Sequence, residues 1–187
     1  MEKKYSVAIY PSQDVIDAVK TMKDYLKNKI GWYNSCNSVA HITICEFTID
    51  ESQIATYKQK LFKVCDAFET FTVYLDDFGY YDEAGAFYIA PNEDAKTNLK
   101  PIMKKTQDAL QLSKLKKSSD PHISIGRKLN PENLKIASQL FTTIDIHFLC
   151  SEIVLRKLDP VKKQFFVIET FPFGNNPQPE LVQGSLF

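Results

Sequence analysis

The chain has no surplus of either charge: Lys plus Arg and Asp plus Glu each number 23. No bulk field therefore draws it toward long nucleic acid or an acidic membrane. No apolar run approaches the roughly 20 residues that a membrane span requires. The first residues, Met1 to Tyr5, lack the apolar core of a signal peptide. Cysteine is sparse, and Cys36, Cys45, Cys65 and Cys150 show no C-x-x-C spacing. Together these absences predict a reducing, cytoplasmic compartment and no membrane partner. The remaining composition, 187 residues with 44% hydrophobic and 12% aromatic, is enough for one domain with a real core. The local basic pairs, such as Lys116-Lys117 and Arg127-Lys128, read as solvated faces, of which a small anionic ligand needs only one.

Histidine occurs three times, and two of the three share one setting. His41-Ile42-Thr43-Ile44 is matched 81 positions later by His122-Ile123-Ser124-Ile125. Side chains alternate faces along a strand, so each motif has a dry aliphatic face and a polar face. The polar face carries an imidazole and a hydroxyl about 6.6 to 7 Å apart. Taken singly, such a histidine is more often a half-buried structural residue; its duplication makes it a candidate for catalysis. His147 alternates with apolar residues in Ile144 to Phe148 and reads as surface.

Apolar spacing predicts a strand at Tyr5 to Tyr10, a helix from Gln13 to Lys29 and the first motif strand at about Ser38 to Thr48. Asp50 and Gln53 then resemble an N-cap and its capping-box partner, followed by a helix and a hairpin of Phe71 to Phe78 with Ala86 to Ala90. The second half offers a helix over about Glu93 to Leu112, with Pro101 as a kink or late start, and a polar linker at Lys114 to Ser119. The second motif strand, about Pro121 to Lys128, precedes a helix opened by Asn130 and Pro131. Strands at about Thr143 to Lys157, broken near Cys150, and at Gln164 to Phe171 complete it. Helix, motif strand, helix, strand pair thus occurs twice. That order predicts an α+β fold of two lobes related by an approximate twofold, with helices outside and the motif strands meeting in one cleft. Residues 1–173 form the predicted domain, and 174–187, rich in Pro, Asn and Gln, an exposed tail.

The paired H-Φ-[ST]-Φ motifs, with Φ apolar, carried by Ala40 to Ile44 and by Pro121 to Arg127, resemble the 2H phosphoesterase superfamily and its 2′-5′ RNA ligase-like, cyclic phosphodiesterase branch. The resemblance implies a bilobal fold whose two antiparallel-type sheets form a central cleft. It implies an enzyme that opens 2′,3′-cyclic phosphate ends of RNA or small nucleotides, or ligates them to a 5′-hydroxyl. Such chemistry needs a base for the attacking oxygen, an acid for the departing ribose oxygen and donors for the phosphoryl oxygens. His41 and His122 suit the first two tasks; Thr43 and Ser124 suit the third. The family assignment gives leaving-group protonation to His41 and activation of water or hydroxyl to His122. The arrangement requires no metal and no cofactor. Arg127 could clamp a phosphate, although strict alternation sets it on the isoleucine face unless Gly126 breaks the strand. Tyr80 and Tyr81, like Trp32 and Tyr33, fall in predicted loops where aromatics can stack a base.

Other readings explain less. A zinc site would have only the loose set His41, Cys45 and His122, and a Cys45–His122 nucleophile pair leaves the second motif unused. From another class comes a non-catalytic RNA-, nucleotide- or partner-binding module that keeps the cleft, which should hold nucleotide without consuming it. The end of the chain, Gln183-Gly184-Ser185-Leu186-Phe187, looks like the peptide that docks bacterial replication proteins on the sliding clamp, with Gly184 replacing the usual leucine. A greasy end folding onto its own domain is the simpler account.

Overall fold

The computed structural model describes residues 1–177, in which the sequence periodicities resolve into four α-helices and nine strands. In chain order they are β1 (Glu2–Ile9), α1 (Gln13–Ile30), β2 (Ile42–Asp50), α2 (Ile54–Asp66), β3 (Phe71–Tyr81), β4 (Ala86–Pro91), α3 (Glu93–Leu110), β5 (Leu115–Lys117), β6 (Ile123–Gly126), α4 (Pro131–Leu140), β7 (Ile146–Cys150), β8 (Glu152–Asp159) and β9 (Gln164–Pro172). Caps set the helix starts. Asn92 and Asn130 each accept a backbone N–H three residues on, at 2.8 Å. Asp50 caps a 3-10 turn, Glu51–Gln53, that leads into α2.

The strands run in the order β7-β3-β4-β6-β2-β1-β8-β9, with β5 beside β2, and every pair is antiparallel. The two expected sheets are thus continuous, joined where the motif strands meet at the single pair Ile42–Ile123. One lobe holds β7-β3-β4-β6 and the other β2-β1-β8-β9. The repeat begins one strand earlier than the motif order suggested: β1-α1-β2-α2-β3 corresponds to β4-α3-β6-α4-β8. Its helices are exchanged, because α1 leads into β2 yet packs on β6, while α3 leads toward β6 yet packs on β2.

Both motif strands turn their isoleucines into the core, where Ile42, Ile44, Ile123 and Ile125 have no exposed surface. Burial of this kind contributes about 1.5–3 kcal/mol per side chain and forces His41, Thr43, His122 and Ser124 onto the opposite face. Immediately after each hydroxyl the ladder slips by one residue. Val7 pairs with Cys45 and Ala8 with Thr43, skipping Ile44. Phe87 pairs with Gly126 and Tyr88 with Ser124, skipping Ile125. These matched bulges reverse the facing of the residues beyond them.

The predicted linker Lys114 to Ser119 contains β5, because β2 runs on past β6 and its free edge needs a partner. The third helix passes through Pro101 unbroken from Glu93. The chain stays hydrogen-bonded to the fold just past Phe173. Gly174, Asn175 and Asn176 donate backbone N–H groups to Cys65, Phe68 and Asp66 at 3.0 Å each, so the expected tail is docked at its start. The segment Gln183 to Phe187 lies outside the described residues. All four cysteines are buried and free, and no helix among the described residues is long and apolar enough to cross a membrane.

Candidate active site

The pair Ile42–Ile123 fixes the arrangement of the four motif side chains. In an antiparallel ladder it sets His41 across from Ser124 and Thr43 across from His122, all on the face away from the isoleucines. Opposed side chains in such a ladder have Cβ atoms about 4.5–5.5 Å apart, and diagonal neighbours, here the two histidines, lie about 7–8 Å apart. All four are half-buried. The result is a square of alternating imidazole and hydroxyl whose diagonal leaves room for a phosphoryl group between the two rings.

Each imidazole is held in the same way. His41 Nδ1 lies 2.7 Å from the Val39 carbonyl, and His122 Nδ1 lies 2.9 Å from the Asp120 carbonyl. A carbonyl only accepts, so Nδ1 carries the proton in both rings. Nε2 is left to take or give one.

The surroundings of the two rings differ. Across from Thr43 stands the small Ala8, and beside it Arg156 of β8 is 3% exposed. Arg156 donates to Ser6 Oγ at 2.6 Å, and its guanidinium lies between the Tyr10 and Phe165 rings, 5.8 and 5.2 Å from their centroids. Its Nε has no hydrogen-bond partner among the described residues. The Tyr10 ring in turn sits 6.2 Å from His41. Burial first, and the Arg156 charge second, hold the His41 pKa well below the usual imidazole range. Across from Ser124 stands Tyr88, its ring 4.9 Å from that of His122, and Tyr81 approaches edge-on at 6.2 Å. Tyr81 hydrogen-bonds the Asp120 carboxylate. Burial and that bond raise the phenol's pKa.

A family model described as the 2′-5′ RNA ligase superfamily matches residues 12–161. The chain belongs to that superfamily. The structures similar to it include Escherichia coli LigT complexed with 3′-AMP, 11% identical, with a TM-score of 0.68 over 92% of this chain and 99% of that one. TT0787 of Thermus thermophilus is 16% identical, with a TM-score of 0.63 over 91% of this chain and 98% of that one. Usb1 of Kluyveromyces marxianus is 14% identical, with a TM-score of 0.56 over the same shares. No curated protein matches in sequence. The superfamily read from the two motifs and its α+β fold are thus both borne out.

Within this 2′-5′ RNA ligase superfamily fold the other expected residues take varied places. Arg127 occupies the place in its strand that Glu46 has in the first, because the bulge at Ile125, not Gly126 itself, reverses the facing. It is exposed, and its charge is felt at both His41 and Glu46. Tyr80 is not brought to the histidines. It borders a hollow of about 420 Å³ beside α4, with Asp82, Pro131 and Leu134, while its neighbour Tyr81 takes the cleft side. Cys45 faces the core across from Val7, and burial pushes its thiol up to about 12, so it is no partner for His122. His147 is exposed on β7 against Tyr74. Sequence reasoning missed Arg156, Tyr10 and Tyr88. Arg156 and Tyr88 alternate with core residues in their strands, and only the partners opposite them mark the cleft.

Proposed function

We propose that the protein is a metal-independent phosphodiesterase that opens 2′,3′-cyclic phosphate ends of RNA or small nucleotides, with ligation to a 5′-hydroxyl as the related reaction. The observation that supports this most is the square of two Nδ1-pinned imidazoles and two hydroxyls on one face of the paired motif strands. In this reading a phosphoryl group sits over the square. Thr43 and Ser124 donate to its non-bridging oxygens, where charge builds. One Nε2 takes the proton of the attacking water as its oxygen bonds phosphorus, and the other Nε2–H protonates the ribose 3′-oxygen as its bond to phosphorus breaks. The 2′-phosphate is the product.

The environments favour a direction opposite to the family assignment. Burial and Arg156 favour the neutral form of His41, which suits it as the base and leaves His122 as the acid. Arg156, a buried cation with no carboxylate paired to it among the described residues, faces the side on which the anionic substrate would sit, and Arg127 adds charge at the rim. Tyr88 and Tyr81 suit a stacked base on the His122 side. The complex of LigT with 3′-AMP agrees with nucleotide binding by this fold. The buried free cysteines accord with the cytoplasmic setting that belongs to this reading.

The test is hydrolysis of a 2′,3′-cyclic nucleotide in chelator, with the product identified as the 2′-phosphate. Activity abolished by chelator and restored by zinc or manganese would overturn the two-histidine mechanism. Nucleotide binding without turnover would leave a binding module instead.

A further inference from the structure

We propose that Lys23 on α1 and Gln107 on α3 are matched positioning residues, each tying the chain segment that enters its own motif histidine to the bulge of the other motif strand. This rests on the two-histidine reading of the cleft. Gln107 does so directly. Its amide donates to Ser118 O, ahead of His122, at 2.7 Å and to Ile44 O, the bulge carbonyl of the first motif strand, at 2.8 Å. Lys23 does so by relay. Its Nζ donates to Ser38 O at 2.7 Å and to Ser38 Oγ at 3.0 Å. Ser38 Oγ donates to Ser35 O at 2.8 Å, and Ser35 Oγ to Ile125 O, the bulge carbonyl of the second motif strand, at 3.2 Å.

Both anchors are core positions by every other measure. Lys23 is 1% exposed and Gln107 8%, and they lie on the packed faces of the two exchanged helices. An apolar residue is the cheap choice there, since a buried ammonium or amide must find partners or lose its hydration without return. Among the described residues Lys23 has no carboxylate hydrogen-bond partner, only the two groups of Ser38, and burial pulls its pKa down to about 8. What those partners control is the next step of the chain. Val39, whose carbonyl holds His41 Nδ1, comes directly after Ser38, and Asp120, whose carbonyl holds His122 Nδ1, lies two residues past Ser118. The anchors thus fix the carbonyls that fix the tautomers. Ser35 sits in the left-handed region at φ 73°, a conformation that a segment without an anchor is free to leave.

The experiment is long-range ¹⁵N–¹H correlation of the imidazoles, easily assigned with three histidines in the chain, alongside turnover of a 2′,3′-cyclic nucleotide. Lys23→Met should turn the single Nδ1–H tautomer of His41 into a mixture and lower kcat by roughly 10- to 100-fold with KM little changed, as misplaced catalytic groups do. Lys23→Gln, which copies the other half's anchor, should restore both. Gln107→Met should release His122. A fixed His41 tautomer with full turnover in Lys23→Met, or Lys23→Gln as impaired as Lys23→Met, overturns the proposal. Should Lys23→Met not fold, Gln107→Met decides, and an unchanged His122 tautomer there overturns it. Should the wild-type protein turn over no cyclic phosphate, the imidazole spectra decide alone, so failure of the functional reading and failure of the anchors are told apart.

Discussion

The two halves of this molecule share a backbone and differ in what they hang on it. Each presents His-Ile-hydroxyl, each bulges at the next isoleucine, and each pins its histidine's Nδ1 on a carbonyl two residues back. Around His41, however, stand Ala8, Tyr10 and a buried arginine; around His122 stand Tyr88, Tyr81 and Asp120. A symmetric pair of imidazoles would compete for one proton. The charge of Arg156 bears on His41, and in the proposed mechanism that asymmetry separates an acceptor from a donor. Duplication supplies the geometry, and in the proposed mechanism divergence of the neighbours supplies the direction.

That comparison can be broken most forcefully at the histidines. His41→Ala and His122→Ala should each lower kcat by about 10²- to 10⁴-fold, and the double variant should fall far short of the product of the two losses, because acid and base act in one step. Wild-type turnover in either single variant would remove that half from the chemistry. Next come the hydroxyls. Thr43→Ala and Ser124→Ala each delete a hydrogen bond to a charged oxygen, worth about 1.5–3 kcal/mol, so kcat/KM should drop roughly 10- to 150-fold for both. A large loss in one and none in the other would show that only one corner of the square touches the phosphoryl group.

Arg156→Met addresses the asymmetry itself. The acid limb of kcat/KM reports the free enzyme's base, and with His41 held below the usual imidazole range that limb should lie on the acid side of it. Removing the guanidinium removes a charge that opposes protonation. The His41 pKa should therefore rise, the limb move toward neutrality, and activity be lost preferentially at acid pH, with KM raised about tenfold. An acid limb that stays in place would return the base to His122. The smallest effects separate the tyrosines. Tyr88→Leu should cost about 1–3 kcal/mol of base stacking, seen chiefly in KM, whereas Tyr80→Ala, altered on the α4 side, should leave kinetics unchanged.

The motifs were legible because two short strands with identical alternation need nothing beyond local sequence. Arg156 was not, since it reaches the cleft only through the pairing of β8 with β1, opposite Ser6 from 150 positions away. Bulges account for the misplaced aromatics. Val73 and Leu75 point to the core, and simple alternation would have carried Tyr81 with them. The slip between Leu75 and Asp77 reverses the count, so that Phe78 stacks on Phe87 in the core at 5.5 Å while Gly79 and Tyr81 face the cleft. A Cβ at Gly79 would meet the Tyr88 ring at 2.4 Å, so a larger residue there would displace that ring. The slip at Ile125 does the same for Arg127. Parity is a local rule until one residue is inserted, and nothing in Ile44 or Ile125 announces the insertion.

The exchange of α1 and α3 between lobes has a consequence for synthesis on the ribosome. Strand β1 lacks its outer neighbour, and β8 its own, until β8 and β9, the last two strands among the described residues, have emerged. The lobe built from β3, β4, β6 and β7 depends on α1 from the opposite end. Neither lobe can close as a self-contained early unit, and contacts spanning this much chain form slowly. A nascent or truncated chain ending before β8 would display both motifs with no Arg156 beside them and no completed sheet behind them. The His41 side of the cleft, which takes Arg156 from β8, is therefore completed only after every strand of the other lobe has been made.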